Sequence, residues 1–168
     1  MIDKGYVTGY EDGTFKPDQN ISRAEFMAMI RSAFGAEIPA PVDLTGVEAM
    51  AWYVNAWSDG DIGNGEIAGA ENPVTNEEAA VIFAHLKSLV ADEAAAGIFI
   101  DADLASTWSR GAIGAVSKAG IMKGYTDGTF RPDQFISRAE ASTALKAALE
   151  YTMIKPLFIV NNHFKRAL

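Results

Sequence analysis

Apolar residues along this chain fall in short stripes of three-to-four spacing, and three of the stripes are opened by the same polar word. The first holds Phe26, Met27, Met29, Ile30, Ala33 and Phe34 and stops at Gly35. The second holds Ala79, Ile82, Phe83, Leu86 and Leu89, and the third Ala141, Ala144, Leu145, Ala148 and Leu149. Such spacing places one apolar face on a helix. Each stripe follows a hydroxyl residue with glutamate three positions on: Ser22 with Glu25, Thr75 with Glu78, Ser137 with Glu140. In that capping box the hydroxyl accepts from the glutamate's backbone N–H, and the glutamate accepts from the hydroxyl residue's own. A β-branched residue (Ile21, Val74, Ile136) precedes each box. The pattern predicts helices over about 22–34, 75–90 and 137–150, all begun by one design.

Two of these helices carry a longer shared text. A shift of 115 positions, Gly5 onto Gly120, superposes Gly5, Gly9, Tyr10, Asp12, Gly13, Thr14, Phe15, Pro17, Asp18, Gln19, Ile21, Ser22, Arg23, Ala24 and Glu25 on identical residues. An internal repeat of this kind is a supersecondary unit that buries its apolar face against its neighbours. Ahead of the second copy, Trp108, Ala112, Ala115, Val116 and Ala119 predict an opening helix capped by Ser106 or Thr107 and ended by Gly120. Between the two helices Asp127-Gly128 supplies a tight turn and Pro132 forbids helix continuation. The unit reads as helix, glycine-rich loop, helix. A middle unit has an opening helix over about 47–57 and a loop, Gly60 to Gly69, that keeps glycines and loses the other words. The first unit has its opening helix absent or reduced to Met1–Lys4, which predicts that the chain is one module of something larger. The expected division is one domain over 1–150, with units at about 1–38, 41–91 and 97–150. Pro39-Ala-Pro41 serves as a linker, and the tail 151–168 lies outside the repeat, with a β-prone run Leu157–Val160.

Composition narrows the function. The 168 residues suffice for one domain with a sizeable core. A net charge of −8 and a pI near 4.7 disfavour non-specific binding to nucleic acid or to an anionic membrane. Without cysteine there is no disulfide framework or thiolate metal site, and no apolar stretch approaches the roughly 18 residues needed to cross a bilayer. His85 and His163 have no nucleophile motif beside them. Asp59-Gly-Asp-Ile-Gly-Asn-Gly has Asn64 where a calcium loop needs glycine and Ala70 where it needs glutamate. No catalytic residue, cofactor or essential metal is expected.

The run Gly-x-x-x-Gly-Tyr-x-Asp-Gly-Thr-Phe-(Lys/Arg)-Pro-Asp, followed by Ile-Ser-Arg-Ala-Glu, resembles the S-layer homology repeat, whose opening aromatic-x-Asp and later Trp are matched by Phe99, Asp101 and Trp108. The resemblance implies a mainly α domain of three helix-loop-helix repeats in a pseudo-threefold arrangement around a central helical bundle, with ligand grooves between adjacent units. It also implies non-covalent anchoring of an extracellular protein to the bacterial cell wall through a secondary cell wall polysaccharide, often ending in pyruvylated N-acetylmannosamine. The arginine it associates with that ligand falls at Arg23 and Arg138, and the middle copy has Asn76 there. A guanidinium matches a pyruvate carboxylate as a planar fork, and a helix start adds N–H groups and the positive end of the dipole. Gly9 and Gly124 would let backbone approach a sugar, while Tyr10, Tyr125 or Trp108 would offer it an apolar face. The alternative is an assembly or protein-interaction module derived from such a domain without sugar binding, with a homo-oligomer as its form.

Overall fold

The computed structural model describes residues 5–35, 47–58 and 68–152. The fold is mainly α, with no regular strand among the described residues. Its helices are α1 (Arg23–Phe34), α2 (Ala51–Ser58), α3 (Asn76–Leu86), α4 (Glu93–Ala96), α5 (Arg110–Lys118) and α6 (Arg138–Glu150). Single 3-10 turns occupy Glu48–Met50 and Ala102–Leu104.

All three capping boxes form with both of their hydrogen bonds. Ser22, Thr75 and Ser137 share one extended backbone geometry, with φ of −77°, −84° and −78°. The residues just before them close a ring. Ile21 N–H donates to Ile136 O (3.1 Å), Ile136 N–H to Val74 O (2.9 Å), and Val74 N–H to Ile21 O (3.2 Å). Their β-branched side chains are buried at the centre. Beyond the ring, each helix start is closed by the loop ahead of another capped helix. Arg23 and Ala24 N–H donate to Asn72 O and Ala70 O, those of Asn76 and Glu77 to Gln134 O and Pro132 O, and those of Arg138 and Ala139 to Gln19 O and Pro17 O. This cyclic order, in which α1 leans on the loop before α3, α3 on the loop before α6, and α6 on the loop before α1, is a pseudo-threefold.

The central helix is α3, buried along almost its whole length from Asn76 and Glu78 to Ala84 and Leu86. Phe83 meets Phe26 of α1 edge to face at 5.7 Å. Helix α5 packs closely on residues 91–96 through glycine: a Cβ on Gly114 would run into Asp92 O, and one on Gly111 would stand 2.7 Å from Ala91 Cβ.

Three expectations change. Helix α3 stops at Leu86 rather than near 90, leaving Leu89 half-buried beyond it. Helix α5 starts at Arg110, not at Ser106 or Thr107, because the Ser106 and Ser109 hydroxyls donate instead to Glu77 of α3 (3.0 and 2.8 Å). Helix α4, capped by Asp92 accepting from Ala95 N–H at 3.0 Å, was not expected. The linker 39–41, the segment Met1–Lys4, the calcium-like loop from Asp59 and the β-prone run of the tail lie outside the described residues.

Candidate functional site

Each cap glutamate does more than hold its helix. Glu25 Oε1 accepts from the Tyr10 hydroxyl (2.7 Å) and from Arg138 Nη1 (2.7 Å), and Glu78 Oε1 accepts from Trp52 Nε1 (3.0 Å) and Arg23 Nη2 (3.3 Å). Glu140 Oε1 accepts from the Tyr125 hydroxyl at 2.7 Å. Where the other two clusters bring an arginine, this one has Asn76, whose Nδ2 donates to Tyr125 Oη, Phe130 O and Arg131 O. Three clusters of one plan therefore sit at the cap segments, each completed by the first residue of another capped helix.

Electrostatics favour the charged form of Glu25 and Glu140. Burial pushes the Glu25 carboxyl up, but the Ser22 amide, the Tyr10 hydroxyl and Arg138 outweigh it and hold the group below its ordinary value. At Glu140 burial is likewise outweighed by Tyr125, Ser137 and the Arg131 charge. Tyr10 is raised, chiefly by donating to Glu25, and Tyr125 is raised by burial and then by Glu140. Both tyrosines stay protonated donors.

Two grooves open beside these clusters. One, of about 250 Å3, lies between the Tyr6–Tyr10 loop and α1 and is floored by Glu25, Met29, Arg138 and Ser142. The other, of about 390 Å3, repeats it 115 residues on, between the loop 120–125 and α6, with Asn76 in place of Arg138 and Ala144 in place of Met29.

Arg138 is 6% exposed and donates Nε to Phe15 O (3.0 Å), Nη2 to Thr8 O (2.9 Å) and Nη1 to Glu25. Arg23 donates Nη1 to Ala68 O (3.2 Å), and its buried Nε meets no acceptor among the described residues. Neither arginine has open first-turn amides beside it, since those donors are spent on neighbouring carbonyls and the cap hydroxyls. The glycines serve internal packing: a Cβ on Gly124 would stand 2.4 Å from the Phe99 ring, and one on Gly9 2.9 Å from Thr14 O. Lys16 Nζ lies 4.0 Å and Arg138 Cζ 4.6 Å from the Tyr10 ring centre, while Arg131 Cζ lies 4.0 Å from that of Tyr125. Trp108 packs half-buried against the core and lines neither groove. Sequence reading missed Trp52 as the counterpart of the tyrosines, because it comes from α2 and not from the loop before the cap. It also missed that Asp101 pins the loop, accepting from Phe130 and Arg131 N–H at 2.8 and 2.7 Å.

The family model for the S-layer homology domain matches residues 1–27 and 101–142. An S-layer homology domain is present in this chain. The matched segments contain both tyrosine loops, two of the three caps and both grooves' loop walls. Among curated relatives, the domain's chain is 27% identical over 165 residues to Cell surface glycoprotein 1 of Acetivibrio thermocellus, covering 88% of this chain and 7% of that protein. It is 28% identical over 158 residues to the Cellulosome-anchoring protein of the same organism, covering 86% and 35%. It is 32% identical over 148 residues to S-layer protein EA1 of Bacillus anthracis, covering 88% and 11%. The chain thus spans well under half the length of each of these relatives.

Proposed function

We propose that this domain anchors an extracellular polypeptide to the bacterial cell wall without a covalent bond, by holding a secondary cell wall polysaccharide in the grooves beside its cap clusters. It is a binding module and not an enzyme. The observation that carries this reading is the recurrence of one built groove, with its tyrosine, glutamate and glycine-rich loop, in the two segments that match the S-layer homology domain. The names of the relatives, a cellulosome-anchoring protein and an S-layer protein among them, point the same way.

The finer reading is that a pyruvylated N-acetylmannosamine end enters the smaller groove. One N–H on each of Arg138 Nη1 and Nη2 has no partner among the described residues, which leaves two guanidinium donors beside the groove for a carboxylate. Gly9 and Tyr10 line that groove, Gly124 and Tyr125 take the same places in the larger one, and Arg23, paired with Glu78, lines neither. Co-sedimentation with intact polymer and with polymer stripped of its ketal by mild acid tests this directly. Intact polymer should retain the domain and stripped polymer should not; equal retention rejects carboxylate recognition, and none with either rejects anchoring.

A second reading, assembly through protein contacts, is favoured by Ile98, Ile100 and Leu104, which are 67%, 79% and 72% exposed within seven residues of each other. A concentration-dependent oligomer without polymer retention in light scattering would support it.

A further inference from the structure

The larger groove differs from its two sister clusters in what its carboxylate lacks. Glu25 Oε1 and Glu78 Oε1 each accept one neutral donor and one guanidinium. Glu140 Oε1 accepts only the Tyr125 hydroxyl among the described residues, its Oε2 being taken by the Ser137 N–H and hydroxyl. A carboxylate oxygen has two acceptor directions. Glu140 Oε1 thus has one protein donor fewer than its counterparts, and Glu140 lines a cavity of about 390 Å3, within the roughly 300–1,000 Å3 common for small-molecule sites. Asn76 does not supply the missing donor: its amide is committed to Tyr125 Oη and the carbonyls of Phe130 and Arg131.

The chemistry of the missing partner is written twice elsewhere in the molecule, as a positively charged nitrogen donor. We propose that this groove binds a ligand that brings its own cation, a hexosamine with a free, protonated amine donating to Glu140 Oε1. Its ring would lie on the apolar wall of Ile121, Ala144 and Ala147. The choice of a sugar rests on the wall-polymer reading, while the choice of an amine rests on the comparison of the three clusters. The nearby Arg131 is engaged by Asp127 at 2.7 Å and does not occupy the carboxylate. Lys123, exposed at the rim and without an ion pair among the described residues, makes the far end of the ligand neutral or acidic.

The test is a titration with glucosamine, N-acetylglucosamine and glucose in mildly acidic buffer, read by NMR at the Asn76 side-chain amide and the Ala144 and Ala147 methyls. Glucosamine should bind about tenfold more tightly than the other two, the difference between a charge-assisted hydrogen bond and a neutral one. Glu140→Gln keeps the cap, since glutamine serves the same box, and should erase that preference. Asn76→Arg should rebuild the sister arrangement and abolish binding of all three sugars. Equal affinity for amine and acetamide, no shift at these positions with any sugar, a preference that survives Glu140→Gln, or wild-type binding by Asn76→Arg each overturns the inference. Retention on wall polymer by a protein with no amine preference removes this inference alone, whereas amine binding without retention removes the anchoring reading alone.

Discussion

Arg138 is the side chain on which the most distant parts of the chain converge: three of its donors close on Phe15, Thr8 and Glu25, more than a hundred residues away. Removing one partner of a buried ion pair strands the other, at about 3 kcal/mol or more. Arg138→Met should therefore lower the urea midpoint by that equivalent, with Arg23→Met costing less because its pair with Glu78 is longer, at 3.3 Å, and its side chain 20% exposed. The depressed carboxyls set the acid limit. Glu25 and Glu140 titrate below the ordinary 4.5 in the folded state, so the stability they contribute is whole above that value and drains as pH falls through their lowered ones. Melting temperature should be flat near neutrality and drop below pH 4.5, and Glu140→Gln should flatten part of that acid limb in a calorimetric pH series. That an arginine begins a helix could be read from Ser-Arg-Ala-Glu. What it faces could not, because two of Arg138's three acceptors are backbone carbonyls that any sequence supplies and the third, Glu25, already has a local role as a cap.

The capped helices were legible because their signal is local: hydroxyl, glutamate three on, and an apolar stripe fix the starts of α1, α3 and α6. Thr75→Ala should cost about 1 kcal/mol in chemical denaturation, the usual worth of such a cap. Helix α5 was misplaced at its start for the opposite reason, since the serines suited to cap it are claimed by Glu77 on another helix. Nor did its apolar stripe reveal that Gly111 and Gly114 set how near it lies to residues 91–96. Gly114→Ala adds a methyl where Asp92 O already stands, a form of overpacking that typically costs about 1–3 kcal/mol. Its melting temperature should fall further than that of Ala112→Gly on the same helix, for which about 1 kcal/mol of helix propensity is at stake.

At the level of the whole molecule the ring of Ile21, Val74 and Ile136 makes the described units interdependent, since each cap segment donates to one neighbour and accepts from the other. Unfolding should be a single transition, with helical ellipticity and tryptophan fluorescence coinciding in urea. Ile136→Ala should shift both curves together by about 2–5 kcal/mol; separate shifts would show units that fold alone. The mainly α architecture was anticipated from the capped apolar stripes, and its cyclic plan from the resemblance to the S-layer homology repeat. That Asn76 sets one groove apart was legible, but which groove was not, because the difference arises where Asn76 from one stretch meets a loop more than forty residues downstream.

That displacement has an evolutionary corollary. A change at the arginine position alters not the cleft of the duplicate that carries it but the cleft of the next one around the circle, so the lining of each cleft is inherited by position relative to a neighbour. Transplanting one duplicate whole into another protein would leave part of its own cleft behind and alter the cleft of whichever unit it came to adjoin.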